Sequence, residues 1–525
     1  MELNSSFLKG AFFRRVQSLL TWISKNRYVV FVGLLLVQVT AFSLQGIWVE
    51  DFWEHSAAVT EFMRNPISPS HPQLNIDAPH AFLNPYAFLV ALVANALGLT
   101  PIIALSVFGI FNFCVFCIGV YVFSSNFYKQ CPQKIAFYAL LLILFLWGQL
   151  PWPYSGFFSY QIFLFNLPYP STLIGGLCLL TLGVTGRYPN GVPVICWAVL
   201  VVVLAVCLLT HPLTAQFLII GLVAQALLAG GSVVIRLVKI ISLCVVAIGL
   251  AALWPYYPFI DLFLGAGSVY HIANLDMYFH LPSRIWPFVA LSPVIAWILF
   301  QRRYWTLTIM FVGTILIYAF GYYSHTYSYG RIISYAIIIA QVSCAIALVK
   351  LENWLSEARP REMLLMQALL VLFFLVWSAD WLYTSTSRLL TAANSMRLGR
   401  PVFNQVSYTG YSFLFERLPA GSTVLANLDT SWRIPTFGAK TIAIDRATAF
   451  VPDVLIRKAD VLRFFASDTL RADRIDILGR YRPKFVLLSK ESDKAWETIQ
   501  SELVPSLGRN VAVPNEQLIL IELYQ

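Results

Sequence analysis

The sequence predicts a polytopic α-helical membrane protein with a small α/β domain at its carboxyl end, and two observations support this fold class. Of the 525 residues, 58% are hydrophobic and only 12% are charged, and the mean hydropathy is +0.70. Soluble globular domains have about 25% charged residues. Apolar runs long enough to cross about 30 Å of hydrocarbon recur through residues 28–384. We expect these runs to be helices, because a helix satisfies its own backbone polar groups in lipid.

The amino terminus, residues 1–27, is predicted to be cytoplasmic. It carries several basic residues ahead of the first apolar run, as the positive-inside rule requires. The run from residue 28 lacks a small-residue cleavage site and is followed by acidic residues, so we expect an anchor and not a cleaved signal. The net charge of +10 does not indicate a nucleic-acid partner, because most Lys and Arg before residue 385 lie in short connections between apolar runs.

Charge placement also decides how the chain is threaded. If the run from Ala81 to Leu99 lies on the outer membrane surface and does not cross, Lys129, Lys134 and nearly all later basic connections become cytoplasmic. The transmembrane domain is then 28–384, with a first outer loop at 49–100, and it has about eleven spans by the hydropathy argument. The predicted spans are 28–48, 101–123, 135–150, 171–186, 192–209, 213–230, 238–256, 285–301, 304–320, 332–350 and 363–383.

The first outer loop begins with "WVEDFWEHSAAVTEF", where four ionisable residues fall within six positions: Glu50, Asp51, Glu54 and His55. On a helix, Asp51 and His55 share one face, and so do Glu50 and Glu54. Asp51 or Glu50 is suited to general-base catalysis. The alternative is structural, since acidic side chains also favour the first turn of a helix and a solvated loop helix also carries such residues as Glu54 and His55.

The other outer segments supply further candidates for substrate binding. These are His80, Tyr169, His211, Arg284, His325, Tyr329 and Arg331. Arg331 and Arg284 are suited to holding a phosphate, although an arginine at a span end also reaches the interface without any ligand. His211 lies at a span start, where a helix N-terminal role is equally open. His71 and His80 match no zinc spacing, so no metal ligands are assigned.

From residue 385 to 525 the sequence predicts a soluble α/β domain of a usual domain size. The candidate strands are "TVLANL", "TIAID", "KFVLLS" and "LILIEL". The stretch from Asp453 to Leu478 has the periodicity of a helix with one apolar face. An odd number of spans places this domain on the outer side.

The layout resembles the GT-C superfamily of membrane glycosyltransferases, in particular its protein O-mannosyltransferase and lipid A aminoarabinose transferase branches. The similar features are the acidic pair "ED" at Glu50 and Asp51 after the first span, and the proline-marked segment "HAFLNPYAFLVALVANALGL" before the second. The later "NLPYPSTLIGGLCLLTLG" and "YGRIISY" stretches are also similar in style. No second acidic motif like that of the oligosaccharyltransferases is found in a later loop.

The resemblance implies a sugar donor carried on a polyprenyl phosphate, with membrane lipid around it and a lipid, glycan or protein as acceptor. It implies Asp51 as the base, with Glu50 as the alternate, and it leaves a divalent cation possible as a cofactor. The segments expected outside contain no N-x-S/T sequon, which favours a bacterial cytoplasmic (inner) membrane with a periplasmic or extracellular active site.

Three other hypotheses remain open from the sequence. One is an O-antigen polymerase or ligase type of enzyme, which also joins lipid-linked glycans. Another is a transporter or flippase for such glycans, although transporters place ionisable groups at mid-membrane and the spans here have few charges. The last is a scaffold whose outer domain only binds partners.

Overall fold

The computed structural model describes residues 18, 22–46, 48, 51–188, 194–377, 379–397, 410–513 and 516–524. Of the predicted site residues, Glu50 lies outside the described residues. In chain order the helices before residue 398 are α1 (Arg27–Gln45), α2 (Phe52–Arg64), α3 (Pro85–Leu97), α4 (Pro101–Ser125), α5 (Pro132–Phe145), α6 (Tyr160–Phe165), α7 (Pro170–Thr185), α8 (Val194–Thr210), α9 (Pro212–Leu228), α10 (Val233–Ala252), α11 (Phe259–Leu264), α12 (Leu281–Ala290), α13 (Ser292–Leu299), α14 (Trp305–Tyr323), α15 (Ile333–Ala358), α16 (Pro360–Trp377) and α17 (Ala379–Arg397).

Each predicted span overlaps a helix or a helix pair, with ends that differ by up to eight residues. Among the described residues, five helical segments are long and apolar enough to cross a membrane, and a sixth arises if α12 and α13, bent by 61°, count as one span. Helices α5, α7, α8 and α9 are apolar but shorter. The helical membrane fold is therefore observed, while the count of eleven spans stays a prediction.

Proline marks where many of these helices begin. Pro85, Pro101, Pro132, Pro170 and Pro212 each stand in the first turn. The first-turn amides have no partner within the helix, so proline loses nothing there and its fixed φ suits a helix start. The prolines therefore help to define where these helices begin.

Helices α4 and α7 pack closely through glycine. A Cβ at Gly176 would lie 2.8 Å from the Phe116 backbone, and one at Gly119 would lie 2.4 Å from the Gly176 carbonyl oxygen. Small residues of this kind allow close helix contact in lipid, where apolar burial gives little driving force. The contact fixes the loop before α7, which carries Tyr169.

The bundle has two chemically different ends. At one end the buried Glu352 carboxylate pairs with Arg27 at 2.9 Å and Lys134 at 3.0 Å and accepts a hydrogen bond from the Tyr138 hydroxyl at 2.8 Å. At the other, which we call the loop end, the residues 51–100, 146–169, 253–280 and 324–331 meet. Trp254 donates to the Leu83 carbonyl at 2.8 Å there. A cluster of basic residues around Glu352 thus marks one end and the meeting loops mark the other, while the side of a membrane that each end faces stays a prediction.

Helix α3 covers most of the segment predicted to lie on the membrane surface. Its 13 residues give a length of about 20 Å, too short to cross the hydrocarbon core. It begins at Asn84, whose side chain accepts a hydrogen bond from the Ala87 amide at 3.0 Å, and ends at Gly98 with a left-handed φ of 64°. Its location at a membrane surface stays a prediction.

The carboxyl-terminal region forms a five-stranded sheet with helices against it. Its elements are α18 (Leu414–Arg417), β1 (Thr423–Leu425), α19 (Leu428–Arg433), β2 (Lys440–Thr441), α20 (Val454–Phe465), α21 (Arg471–Tyr481), β3 (Phe485–Ser489), α22 (Trp496–Leu503), β4 (Gly508–Val511) and β5 (Leu518–Leu523). The strand order is β2-β1-β3-β5-β4, with β1 parallel to β2 and β3 and with β5 antiparallel to β3 and β4.

Three details differ from the sequence-based expectation. The predicted helix from Asp453 to Leu478 is two helices, interrupted at residues 466–470, and β4 was not expected. Helix α17 runs through residue 385, the expected start of the soluble domain, and the Arg388 guanidinium lies 4.8 Å from the Phe42 ring of α1. That contact joins α17 to the bundle, while the domain limits themselves stay a prediction.

The carboxyl-terminal domain is docked directly on the first loop. Leu74 forms a parallel bridge with Thr441, which extends the open edge of the sheet at β2. The side chains of Leu74 and Ala78 share a small buried core with Ile444 and Val451. The first loop therefore belongs to both the bundle and the carboxyl-terminal domain, and this shared position builds the site.

Candidate functional site

Asp51 stands directly before α2, at the loop end of the bundle. It stands at the N-cap position, and its side chain makes no capping hydrogen bond to the helix. One turn on, Glu54 and His55 are buried. The Asp51 carboxylate is half-buried and available for contacts outside its own helix.

A third charged group comes from the carboxyl-terminal domain. The Arg446 guanidinium lies 3.6 Å from an Asp51 carboxylate oxygen and 3.9 Å from one of Glu54. It also lies over the Trp432 ring, 3.9 Å from the ring centroid. Tyr270, from the 253–280 loop, interacts with the backbone of Ala449 and lies near Glu54. Three separate parts of the chain therefore converge on the acidic cluster.

Arg331 faces the same cluster from the start of the helical segment that contains α15. Its Nε donates to the Asn274 side-chain oxygen at 2.7 Å, its Nη1 donates to the Ser155 hydroxyl at 3.2 Å, and the Tyr154 ring lies 5.3 Å away. Asp51 is close enough to interact with it electrostatically. The hydrogen bonds of Arg331 thus go to neutral groups, which hold the guanidinium in place without neutralising it.

The predicted residue Tyr169 packs against His55, with ring centroids 5.0 Å apart, and Phe82 stacks on the other face of His55 at 4.7 Å. The His55 Nδ1 atom is buried without a hydrogen-bond partner in the described residues. His211 lies near His55 and Arg331, and its Nδ1 is 2.7 Å from the Thr214 hydroxyl. The structure thus brings Asp51, Glu54, His55, Tyr169, His211 and Arg331 together.

His80 is a buried residue farther along the first loop. Its Nδ1 accepts a hydrogen bond from the Phe82 amide at 3.2 Å, and its ring packs against His71 at 4.8 Å. Burial lowers the pKa of His80 to about 3, as it does for His55. Both imidazoles are therefore neutral at physiological pH. The contacts of His80 with Phe82 and His71 stabilise the first loop.

These buried imidazoles predict acid sensitivity. Their folded pKa of about 3 is below the unfolded value of 6.5, so the unfolded state binds protons first and stability falls as the pH drops from 6.5 towards 3. Each imidazole contributes about 2 kcal/mol of this loss between pH 6.5 and 5. His55→Phe fits the same stack and should make the decline shallower by that amount. Thermal unfolding from pH 7.5 to 5 measures it, and equal slopes for both proteins would contradict this account.

Arg284, the second predicted phosphate ligand, is already paired. Its Nη2 lies 2.8 Å from an Asp276 carboxylate oxygen, and the guanidinium lies 5.0 Å from the Trp152 ring. It is near Tyr154, which also contacts Arg331. The charge of Arg284 is therefore already compensated by Asp276, whereas Arg331 has no carboxylate within ion-pair distance in the described parts of the chain.

The other two predicted residues lie apart from the cluster. His325 is exposed, with a left-handed φ of 58° and its Nδ1 2.7 Å from the Tyr327 hydroxyl. Tyr329 packs against Phe320 near the end of α14, at 5.9 Å between ring centroids. Neither contacts the acidic cluster within the described structure.

An apolar groove lies among the helices that carry or follow the two arginines in the sequence. It has a volume of about 530 Å³ and is lined by α12, α13, α14 and α15. Ile285, which follows Arg284, and Ile333, two residues after Arg331, both line it. Ala296 and Ala340 line it farther from these arginines along the chain. The groove is therefore a long apolar surface whose lining includes near sequence neighbours of both arginines.

Sequence reasoning missed Arg446, Trp432, Tyr270, Asn274 and Ser155. They are of ordinary residue types in unremarkable contexts, and only the fold brings them to the acidic loop. No group of three His, Cys, Asp or Glu side chains suited to a metal ion is present among the described residues, which do not include Glu50. No metal-ligand set is assigned.

The fold therefore consists of a helical bundle with an acidic first loop, a short helix after that loop and a docked α/β domain. The chain has the fold of GT-C membrane glycosyltransferases. It superposes on ArnT from Cupriavidus metallidurans bound to undecaprenyl phosphate with a TM-score of 0.53 at 12% identity, covering 94% of this chain and 98% of that one. For the apo state of ArnT the TM-score is 0.50 at 13% identity, over 96% and 98% of the chains.

Sequence comparison adds no relative. No protein-family model matches the chain, and no curated protein matches it. At 12–13% identity the likeness to ArnT concerns the fold. The role of the site must therefore come from its own chemistry.

Proposed function

We propose that the protein is a glycosyltransferase that moves a sugar from a polyprenyl-phosphate carrier to a lipid, glycan or protein acceptor. The observation that carries this proposal is the juxtaposition of Asp51, a candidate base, with Arg331, a guanidinium held by neutral partners two residues before Ile333 of the apolar groove. A donor made of a sugar, a phosphate and a long apolar chain matches these three features in order. ArnT, which has the same fold, has been crystallised with undecaprenyl phosphate.

The reaction we propose is an inverting displacement. The acceptor hydroxyl or amine attacks the anomeric carbon, and its proton passes to the Asp51 carboxylate as the new bond forms. The bond between that carbon and the phosphate oxygen breaks, and its electron pair stays with the polyprenyl phosphate. Arg331 stabilises the negative charge that develops on the leaving phosphate, because a fixed cation in a partly desolvated site is most effective there.

The topology follows the charge-based threading. We propose about eleven spans, with the basic end in the cytoplasm and the loop end with the carboxyl-terminal domain on the periplasmic or extracellular side of a bacterial inner membrane. On this placement, the first loop meets a donor in the membrane and an acceptor that reaches it from the membrane or from water. The α3 helix, with exposed Leu89 and Leu92, would lie at the outer membrane surface.

The direct test uses purified protein in lipid vesicles with a polyprenyl phosphate that carries a radiolabelled sugar. Transfer of label to an acceptor, with release of polyprenyl phosphate, is the expected result. A transporter would move the labelled lipid between leaflets without breaking the sugar–phosphate bond. Movement without transfer, or neither, would overturn the proposal.

The groove gives a separate prediction about the donor. Ala296→Trp fills part of it and should raise the KM for a long-chain donor about tenfold or more, a loss of about 1.4 kcal/mol of binding, while a donor with a short prenyl chain is affected little. Val294→Trp is the matched control, because this residue is exposed on the same helix and does not line the groove. Kinetics with donors of two chain lengths provide the measurement. An equal effect of Ala296→Trp on both donors would exclude the groove as the site of the chain.

A further inference from the structure

We propose that Arg446 of the carboxyl-terminal domain is a positioning residue for transfer, and that docking of this domain completes the active site. The inference rests on the proposed function, because it concerns how Asp51 is held during that reaction. It gives the carboxyl-terminal domain a specific task, which neither the sequence pattern nor the likeness in fold assigns.

The first argument is the geometry of one cation between two carboxylates. Asp51 and Glu54, three residues apart at the start of α2, are like-charged neighbours and would repel each other. Arg446 approaches both, at 3.6 Å and 3.9 Å. A planar guanidinium with several donors in a fixed fork suits this bridging task better than a flexible ammonium does. The arrangement restricts the directions in which the Asp51 carboxylate can point.

The second argument is that Arg446 is itself held from behind. Its guanidinium lies 3.9 Å from the Trp432 ring centroid, within the range of a cation–π contact. Trp432 is on α19 of the same domain. The aromatic face and the two carboxylates therefore lie around one guanidinium, which limits the number of rotamers it can occupy.

The third argument is the register of the segment that carries Arg446. Six residues earlier, Lys440 pairs with Glu61 at 2.7 Å, and the Thr441 amide donates to the Gln73 carbonyl at 2.8 Å. Glu54 and Glu61 are seven residues apart on α2, so both lie on nearly the same helix face. The helix thus contacts the carboxyl-terminal domain through carboxylates at both ends, and the Lys440 contact sets where Arg446 falls.

Loss of Arg446 should therefore lower the rate of transfer more than it weakens donor binding. Arg331, on the other side of Asp51, is the group proposed to bind the donor phosphate, and it belongs to the bundle. Loss of Arg446 leaves that group intact but allows Asp51 to leave the position from which it accepts a proton. Small misplacements of a reacting group cost up to about 100-fold in rate.

The experiment compares Arg446→Ala and Arg446→Lys with wild type in the full-length protein. Arg463→Ala is the matched control, because Arg463 is an exposed arginine of the same domain paired with Asp473 at 2.7 Å. We expect Arg446→Ala to lower kcat about 100-fold with the KM for donor changed less than threefold, and Arg446→Lys to lower kcat less. Added guanidinium ion should restore part of the activity of Arg446→Ala and none of that of Asp51→Asn.

The outcomes separate this inference from the proposed function. If wild type transfers sugar and Arg446→Ala stays within threefold of it, the positioning role is wrong while the proposed function stands. If wild type transfers no sugar, the proposed function fails and takes this inference with it. Limited proteolysis reports whether the domain is docked. A purely structural role predicts three results: Arg446→Ala exposes the domain to protease, Arg446→Lys stays docked and fully active, and guanidinium restores no activity. These results together would overturn the inference.

Discussion

Asp51→Asn is expected to lower kcat/KM for sugar transfer by about 100- to 10,000-fold, the usual contribution of a general base. Asparagine has nearly the same size and shape as aspartate but cannot take the acceptor proton. Because Arg331 and the groove are unchanged, binding of the polyprenyl-phosphate donor should persist. The measurement is a transfer assay with labelled donor, together with donor binding at equilibrium.

Asp51→Asn also removes the charge that faces Arg446 at 3.6 Å, so limited proteolysis of the docked domain accompanies the transfer assay. The Asp51 side chain makes no capping hydrogen bond to α2, so its replacement removes no helix contact of that kind. Asp476→Asn is the matched control, because the Asp476 carboxylate is 68% exposed in a surface pair with Arg480. Such pairs contribute little to stability, about 0–1 kcal/mol, and the control should behave like wild type.

Activity of Asp51→Asn within a few-fold of wild type would remove Asp51 as the base. Glu50 is then the alternate by the sequence argument, and Glu50→Gln in the same assay decides between the two. Glu54→Gln adds a third comparison, because Glu54 shares Arg446 with Asp51. If none of the three variants loses activity, the acidic loop is not the catalytic part of the protein.

The positions of the helices could be predicted well because their causes are local. The span predicted at 101–123 is the helix Pro101–Ser125, and the one predicted at 171–186 is Pro170–Thr185. Apolar length, proline at the helix start and charge in the connections are each visible within about 20 residues of sequence. The helix end at Gln45, several residues before the predicted end of the first span, is set by the left-handed Gly46.

Candidate residues of the site could be predicted from the sequence both in the first loop and in later loops, but their contacts with one another and with the carboxyl-terminal domain could not. The contacts of Asp51 with Arg446 and of Arg331 with Asn274 join parts of the chain that lie far apart, and no periodicity in the sequence records such pairings. Arg446 follows a strand in a domain whose charged residues are mostly on the surface, so its type alone carries no signal. His325 and Tyr329 show the opposite case, since they look suitable in sequence but lie away from the cluster.

The interruption of the helix predicted at 453–478 has a physical reason in the carboxyl-terminal domain. Residues 466–470 separate α20 from α21, and the Arg474 side chain on α21 reaches the end of α20. Its guanidinium donates to the carbonyls of Phe464 at 2.9 Å and Ala466 at 2.7 Å and pairs with Glu502 at 2.9 Å. Arg474 is almost fully buried. A buried guanidinium that caps one helix from the next is a tertiary effect that helical periodicity does not show.

Glu61→Gln is expected to destabilise the docked carboxyl-terminal domain by about 3–5 kcal/mol, the cost of leaving one member of a buried ion pair alone. The Glu61 and Lys440 side chains are only 2% and 7% exposed, and their charged atoms lie 2.7 Å apart. Glu61 also accepts hydrogen bonds from the Ser70 amide and hydroxyl at 2.9 and 3.0 Å. Glutamine keeps one acceptor oxygen but leaves the Lys440 ammonium without a counter-charge.

The pH dependence of this defect has a definite sign. Burial lowers the pKa of Lys440 to about 8 although Glu61 opposes the shift, and removal of the carboxylate lowers it further. The folded variant then loses its proton at a lower pH than wild type does, while the unfolded chain keeps it up to about pH 10. The stability of Glu61→Gln therefore begins to rise with pH at a lower pH than that of wild type does. The difference in stability between the two proteins should be smaller at pH 9 than at pH 7.

A double-mutant cycle with Lys440→Met completes the test. Replacing both partners removes the isolated buried charge, so Glu61→Gln/Lys440→Met should be more stable than Glu61→Gln alone. Chemical denaturation and the rate of proteolysis of the carboxyl-terminal domain provide the measurements, and transfer activity should fall as the domain undocks, because Arg446 leaves with it. A Glu61→Gln variant within 1 kcal/mol of wild type, or a double variant no better than the single one, would show that the buried pair does not hold the domain in place.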